Sequence, residues 1–228
     1  MAARKSPREL LMPPGWCWWA YSCLLLGLAS CAHVVSGGDG DDTLVGRRSD
    51  DEIAGGAGSD LLIGASGDDV LLGEAGDDEL QGDDGDDRLD GGAGADVLRG
   101  GDGADVLYGG AGVDEIAGGA GNDTIRSGSG ADVVTGGPGA DIFVIDLSTL
   151  DEGHDRILDF NPEEGDRIVI TGFDRSQLKR LKEWIGIKEG VVRVRPDFKN
   201  KGAIVDIGRD IPLSILLNSR GIAFRKDF

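Results

Sequence analysis

Aspartate occurs at every ninth residue across the middle of the chain. Twelve aspartates follow this spacing without interruption from Asp42 to Asp141. Negatively charged side chains that offer only oxygen atoms bind hard divalent cations such as calcium and magnesium. A structure that brought these carboxylates together would therefore form a row of cation sites.

The aspartates belong to a repeat of nine residues, and residues 37–144 contain twelve tandem copies of it. Aspartate stands at position 6 and Leu, Ile, Val or Phe at position 8 in all twelve copies. Glycine stands at position 1 in every copy except the one that begins at Ser127, and at position 4 in every copy except the one that contains Ser49. Tandem repetition of this kind predicts a solenoid.

The repeat predicts an all-β fold in which two parallel sheets of short strands face each other. Glycine in every copy disfavours a helix, positions 1 to 6 carry turn-forming residues, and positions 7 to 9 are suited to a short strand. Two copies would form one coil, with six strands stacked in each sheet. We expect odd-numbered copies to line one wall of the core with Leu44, Leu62, Leu80, Leu98, Ile116 and Val134. Even-numbered copies would line the other wall with Ile53, Leu71, Leu89, Leu107, Ile125 and Phe143.

Stacked coils would place like charges next to one another, because position 6 of each copy would lie beside position 6 two copies later. At the strand spacing of ~4.8 Å, two unit charges repel by about 3.5 kcal/mol if the effective dielectric constant is near 20. Calcium takes carboxylate and carbonyl oxygens at ~2.3–2.6 Å and fits between two such carboxylates, whereas magnesium demands a tight octahedron. Twelve copies give ten stacked pairs, hence at most ten ions, against a charge of -21 in residues 37–144, which hold 26 acidic and five basic residues.

The core that the repeat predicts is small for a segment that holds 30 of the 40 glycines, which lose the most backbone entropy on folding. We therefore expect the segment to remain unfolded, through its own charge, at the low calcium concentration inside a cell. Calcium outside the cell would bind the segment and fold it in one step.

This pattern resembles the glycine- and aspartate-rich nonapeptide repeats of RTX proteins, also called hemolysin-type calcium-binding repeats, whose form is G-G-x-G-x-D-x-U-x. The resemblance implies a right-handed parallel β-roll with calcium between successive turns, and export to a calcium-rich exterior. It also implies that the metal ligands are the position-6 aspartates Asp42, Asp51, Asp60, Asp69, Asp78, Asp87, Asp96, Asp105, Asp114, Asp123, Asp132 and Asp141.

Two features vary along the array. In copy two, Arg47, Arg48 and Ser49 replace the Gly-x-Gly of the family pattern, and two cations near a cation site predict weak or absent calcium binding by Asp51. Position 5 is Asp in copies one, two, four, five and six and mostly Ala in later copies. These extra carboxylates either raise the calcium affinity of the first half or only solvate the turn, and the sequence is compatible with both.

Residues 1–30 are predicted to be a lipoprotein-like signal peptide, followed by a linker at residues 31–36. Three basic residues precede an apolar stretch from Trp16 to Ala32 that is shorter than the ~20 residues of a membrane span. Its end, Leu28-Ala29-Ser30-Cys31, resembles a bacterial lipobox, where cleavage before Cys31 leaves this residue to carry lipid. An ordinary signal cut after Ala32 and an uncleaved anchor are the alternatives, and in each case the rest of the chain leaves the cytoplasm.

Residues 145–228 lose the repeat and are expected to form a mainly-β cap, because the end of a solenoid exposes an unpaired apolar rung. The stretch from Asp155 to Ile170 also looks like the segment that closes RTX modules in secreted enzymes. We predict a short helix from Ser176 to Ile185. Strands are predicted at residues 155–160, 165–170, 191–194, 203–207 and 211–216.

The composition argues against several classes of protein. A formal charge of -19 is the wrong sign for binding nucleic acid, and three cysteines confined to the first 31 residues with only two histidines in the chain exclude a disulfide framework and a zinc site. The chain has no H-E-x-x-H motif, and its tail has no G-x-S-x-G motif. His154, among acidic residues, is expected to be a solvated loop residue.

We therefore predict a non-catalytic calcium-binding protein that is extracellular or attached to the cell surface. Its partners would be calcium ions and, through Cys31, a membrane. The alternatives are a calcium-dependent carbohydrate-binding or adhesion module, whose partner would be an extracellular glycan, and an accessory module of a secreted polysaccharide- or protein-modifying enzyme.

Overall fold

The structure is a computed structural model and describes residues 33–146, 154–171, 185–188, 191–194, 204–206 and 222–224. In these ranges there is no helix that is long and apolar enough to cross a membrane. The strands of these ranges are β1 (Val34–Asp39), β2 (Thr43–Val45), β3 (Glu52–Ala57), β4 (Leu61–Ser66), β5 (Val70–Ala75), β6 (Glu79–Asp84), β7 (Arg88–Ala93), β8 (Val97–Asp102), β9 (Val106–Ala111), β10 (Glu115–Ala120), β11 (Thr124–Ser129), β12 (Val133–Thr135), β13 (Ile142–Asp146), β14 (His154–Ile157), β15 (Arg167–Thr171), β16 (Ile185–Lys188), β17 (Val191–Val194), β18 (Ile204–Asp206) and β19 (Ile222–Phe224).

The strands form two sheets, one for each parity of the repeat. The even-copy sheet has the order β1-β3-β5-β7-β9-β11-β13-β15-β19, and the odd-copy sheet has the order β16-β17-β18-β14-β12-β10-β8-β6-β4-β2. Neighbouring strands within the repeats are parallel and are offset by two copies, so that Leu62 pairs with Leu80 and Leu71 with Leu89. The predicted parallel coil of two copies is confirmed.

The core is a single row of apolar side chains from each sheet. The position-8 residues from Ile53 to Leu107 have no exposed surface, and those from Ile116 to Phe143 are at most 3% exposed. Leu44, in the first coil, is partly buried and packs against the same cluster. Both predicted walls are therefore present, and alternation along each strand directs position 8 inward.

The strands are longer than predicted, because most contain six residues rather than three. The strand β5, for example, runs from position 7 of copy four through position 3 of copy five. Pairing skips position 1 and resumes at position 2, where Glu74 pairs with Gly92. Coils of identical shape bring the backbone of each turn beside that of the next, so glycine-rich segments join the ladder, and the turn proper shrinks to positions 4 to 6.

The parallel stacking continues beyond the repeats. The strand β14 pairs with β12, so that Ile157 lies beside Val134, and β15 pairs with β13, so that Ile168 lies beside Phe143. Both overlap the predicted strands at residues 155–160 and 165–170, but β14 ends earlier and begins at His154, which was expected to lie in a loop. In the odd-copy sheet, β16, β17 and β18 then pair in antiparallel fashion. Phe160 is fully buried, and its ring lies 6.0 Å from that of Phe143.

Two other predicted strands of the tail are present as β17 and β18. The predicted helix is wrong at its last residue, because Ile185 begins the strand β16 and pairs with Val194. Alternating apolar residues at Ile185 and Ile187 suit a strand that pairs along its length. The rest of the helix, the strand at residues 211–216 and the signal peptide lie outside the described residues.

Candidate metal centre

The twelve predicted ligands form two columns, one at each edge of the roll. The odd-turn column consists of Asp42, Asp60, Asp78, Asp96, Asp114 and Asp132. The even-turn column consists of Asp51, Asp69, Asp87, Asp105, Asp123 and Asp141. Eleven of these residues are at most 3% exposed, and Asp42, in the first coil, is half-buried.

One carboxylate oxygen of each stacked aspartate bonds to the preceding coil. Asp96 Oδ1 accepts a hydrogen bond of 2.9 Å from the backbone N–H of Asp78, and Asp105 Oδ1 accepts one of 2.8 Å from the N–H of Asp87. The same bond recurs in all ten stacked pairs, at 2.7 to 3.0 Å. The columns are therefore ladders in which a peptide group separates successive carboxylates, which sequence reasoning did not predict.

The second carboxylate oxygen of the interior aspartates is buried and accepts no hydrogen bond from the described part of the chain. This holds for Oδ2 of Asp60, Asp69, Asp78, Asp87, Asp96, Asp105, Asp114, Asp123 and Asp141. A buried carboxylate oxygen without a donor costs free energy, because it has lost water and gained nothing in its place. The buried oxygen without a donor recurs every nine residues and is therefore a property of the repeat itself.

Glycine at position 1 makes room for this oxygen. A Cβ atom on Gly91 would lie 2.5 Å from Asp96 Oδ2 and 2.7 Å from the carbonyl oxygen of Gly109, one coil further along. A Cβ atom on Gly73 would lie 2.5 Å from both Asp78 Oδ2 and the carbonyl oxygen of Gly91. Two oxygen atoms with no donor between them thus crowd the same small space, and a Cβ atom on Gly91 or Gly73 would collide with both.

The electrostatic environment opposes ionisation of these aspartates. The pKa of the Asp96 carboxyl is raised to about 6: burial is the largest cause, the N–H of Asp78 lowers the pKa in part, and the charges of Asp78 and Asp77 raise it. The same causes raise the pKa of Asp114 to about 7. The pKa is likewise raised to about 6 at Asp69, Asp87, Asp105, Asp123 and Asp141. At neutral pH the metal-free coil therefore carries its negative charge at a free-energy cost.

The chemistry of this donor set fits calcium. Within the described ranges no three His, Cys, Asp or Glu side chains converge on one point, so carbonyl oxygens must complete any ligand set. Residues 36–143 match a family model, the RTX calcium-binding nonapeptide repeat, in overlapping windows of four copies at residues 36–71, 63–98, 72–107, 81–116, 90–125 and 108–143. The chain contains RTX calcium-binding nonapeptide repeats. With its stacked, buried aspartates, residues 36–143 are a calcium-binding β-roll, and the RTX repeat itself is structural rather than catalytic.

Among solved structures, the chain is similar to the extracellular lipase LipA from Serratia marcescens. The sequence identity is 19% and the TM-score 0.36, over 79% of this chain and 39% of that one. The chain thus spans well under half the length of the lipase. No curated protein matches the sequence.

Copy two of the RTX repeats supplies its aspartate with protein donors. Asp51 Oδ2 accepts a hydrogen bond of 2.5 Å from the backbone N–H of Arg47, and Oδ1 accepts bonds from the N–H of His33 and the hydroxyl of Ser49. Position 2 is usually a glycine with positive φ, as in Gly92 at +101°. Arg47 is not among the described residues with positive φ, so its N–H is free to turn toward Asp51.

Two further aspartates extend the ladders of the RTX repeats into the tail. Asp155 Oδ1 accepts a hydrogen bond of 3.2 Å from the N–H of Asp132, and Asp166 Oδ1 accepts one of 3.0 Å from the N–H of Asp141. Asp166 Oδ2 also accepts a bond from the N–H of Asn161. Sequence reasoning missed these residues because the loops before them break the nine-residue spacing. The signal was present in the stretches 155–157 and 166–168, which both read Asp-Arg-Ile and keep positions 6 and 8 of the repeat.

Proposed function

We propose that the interior RTX turns bind calcium through Oδ2 of the position-6 aspartates together with carbonyl oxygens of position 1. The observation that carries this proposal is the recurring buried Oδ2 beside the carbonyl oxygen of the next coil, as at Asp96 and Gly109. Carboxylate and carbonyl oxygens are the ligands that calcium prefers. All twelve position-6 aspartates, from Asp42 to Asp141, are proposed ligands, with at most ten ions among them.

Occupancy is not proposed to be uniform along the columns. At Asp51 the N–H of Arg47 already donates to the oxygen that is free in the interior turns. A cation at this turn would have to displace that hydrogen bond, and the exposed guanidinium groups of Arg47 and Arg48 would repel it. The turn of copy two is therefore the weakest proposed site.

Calcium binding and folding of the roll are proposed to be one event. The roll buries one large apolar side chain per repeat, while its interior carboxylates have raised pKa values and repel one another. At neutral pH and low calcium the extended chain, in which the charges are hydrated and far apart, is therefore favoured. Calcium selects the coil because only the coil brings the ligands together.

This coupling suits a protein that crosses a membrane unfolded and folds in a calcium-rich exterior. The proposed location is extracellular or at the cell surface, with residues 1–30 as a signal peptide and Cys31 as the site of lipid attachment. Mass spectrometry of the native N-terminus tests this part: a diacylglyceryl cysteine at Cys31 is expected, and an unmodified terminus at another residue would contradict it. The proposed role of the chain is structural and non-catalytic.

The ligand assignment is tested by counting bound calcium ions in competition with a chromophoric chelator. Asp105→Asn should reduce the number of bound ions by at least one, because the variant loses the charge of a proposed ligand. Asp102→Asn is the matched control, since Asp102 lies in the same repeat, carries the same charge and is exposed. Equal stoichiometry in the two variants would contradict the assignment.

A further inference from the structure

Position 5 of the repeat forms a second set of contacts between coils. Asp77 Oδ1 accepts a hydrogen bond of 2.8 Å from the backbone N–H of Ala95, and Asp86 Oδ1 accepts one of 2.7 Å from the N–H of Ala104. In both cases donor and acceptor are position-5 residues of successive coils. Asp41, Asp50 and Asp68 accept the same bond from Ser59, Asp68 and Asp86.

These bonds run in the opposite direction to those of the position-6 ladders. Each position-6 carboxylate accepts a hydrogen bond from an earlier coil, as Asp96 does from Asp78. Each position-5 carboxylate accepts one from a later coil, as Asp77 does from Ala95. The position-5 aspartates are exposed, whereas the position-6 aspartates other than Asp42 are buried. In turns that contain both hydrogen bonds, two bonds join adjacent coils, one on each side of the peptide that links positions 5 and 6.

One copy shows that the hydrogen bond, and not the charge, is common to these contacts. Asn122 stands at position 5 of copy ten, and its Oδ1 accepts a bond of 2.9 Å from the N–H of Ala140. The asparagine is neutral but offers the same acceptor. Ala95, Ala104 and Val113, at position 5 of copies seven to nine, have no side-chain acceptor.

We infer that an Asp or Asn at position 5 forms a calcium-independent hydrogen bond, the position-5 tie, with the backbone N–H of position 5 in the next coil. This tie fixes each turn against the next, so that the neighbouring position-6 carboxylate is held in place for its cation. The sequence leaves open whether these carboxylates raise the calcium affinity or only solvate the turn, and the hydrogen bonds give them a third role, which is to link adjacent turns. Its effect on calcium-dependent folding rests on the proposed function, whereas the tie itself rests on the geometry alone.

The test uses the full chain at a fixed saturating calcium concentration. Many ions bind together, so the loss of one hydrogen bond would shift a calcium midpoint only slightly, and the unfolding equilibrium constant is the more sensitive quantity. Asp77→Ala should raise that constant about fivefold, the equivalent of one hydrogen bond. It should also speed hydrogen exchange of the Ala95 amide at least tenfold. Asp77→Asn should remain within about twofold of the unaltered chain on both measures, because it keeps the acceptor.

Two further variants complete the comparison. Asp84→Ala is the control, because it removes an equal charge from an exposed position 3 of the next repeat; both measures should stay within about twofold. Ala104→Asn should add a tie to the N–H of Asn122 and slow exchange of that amide about fivefold, a gain that remains measurable even if Asp77→Ala fails to fold.

Two results would overturn the tie. One is Asp77→Asn behaving like Asp77→Ala, which would make charge the cause. The other is an unchanged Ala95 exchange rate in Asp77→Ala. A chain that is equally ordered in chelator and in calcium would overturn the proposed function instead. Hydrogen exchange of the Ala95 amide in Asp77→Ala and Asp77→Asn would still test whether the position-5 hydrogen bond exists.

Discussion

Copies two and seven of the repeat hold the same aspartate in the same kind of turn but satisfy it differently. In copy two, both oxygens of Asp51 accept hydrogen bonds from the protein. In copy seven, Asp96 Oδ1 accepts one bond, while Oδ2 is buried beside the carbonyl oxygen of Gly109 without a donor. The difference shows what a positive φ at position 2 does, whether the residue is Gly92 or Glu74: it keeps the backbone N–H turned away from the carboxylate, which leaves an oxygen for a cation.

Protonation should replace the cation in copies such as copy seven, and this is the largest effect that we expect. The pKa of Asp96 is raised to about 6 and that of Asp114 to about 7 in the coil, against an ordinary value of 3.8 for aspartate. A raised pKa in the folded state favours folding at low pH, and that contribution is lost as the pH rises through 6 to 7. In chelator, the chain should therefore show much more β-sheet circular dichroism at pH 5.0 than at pH 7.5. Identical spectra at the two pH values would contradict the electrostatic account.

Removing the aspartate should cost more in copy seven than in copy two. At saturating calcium, Asp96→Ala is expected to lower the free energy of unfolding by about 3 kcal/mol, because a metal ligand is lost. Asp51→Ala should lower the free energy of unfolding by about 1 kcal/mol, because it removes hydrogen bonds near the end of the roll but no strongly bound cation. Urea denaturation at fixed calcium measures both. Equal losses would mean that the two turns are equivalent after all.

Glycines at positions 2 and 4 of copy two should give this copy the same turn as copy seven. In the double variant Arg47→Gly with Ser49→Gly, position 2 can adopt a positive φ, which turns its N–H away from Asp51 Oδ2. We therefore expect one additional bound calcium ion in a chelator competition. Arg48→Ala serves as the control because it removes a cation but leaves the backbone of position 2 unchanged. An extra ion in the control alone would assign the defect to charge and not to the N–H.

The smallest expected effect concerns position 2 of the interior copies. Glu74 adopts a φ of +74°, a left-handed conformation that costs a residue with a Cβ about 1–2 kcal/mol. Glu74→Gly relieves this strain but makes the unfolded chain more flexible, which costs about 0.5–1 kcal/mol. The net stabilisation should be about 0.5 kcal/mol in urea denaturation. A loss above 1 kcal/mol would show that the Glu74 side chain makes a stabilising contact.

The repeat allowed the architecture to be predicted, because inward-facing residues and offset follow directly from a strict period of two copies. Leu62 and Leu80 were therefore placed correctly, whereas the length of the strands was not. The ladder bonds at position 6 and the ties at position 5 arise only when identical turns are stacked, and no single repeat contains them. Asp155 and Asp166 escaped prediction for a related reason, since loops of irregular length hide a spacing that stacking restores.

We propose that calcium ions stabilise stacked carboxylates that the apolar core cannot hold together. This proposal is tested most directly by following β-sheet circular dichroism and resistance to protease at pH 7.5, first in chelator and then in rising calcium, with magnesium at equal concentration as the control. We predict an extended, rapidly cleaved chain in chelator, a cooperative transition to a resistant coil in calcium, and little change in magnesium. A resistant coil that forms at pH 7.5 with all metal removed would contradict the account.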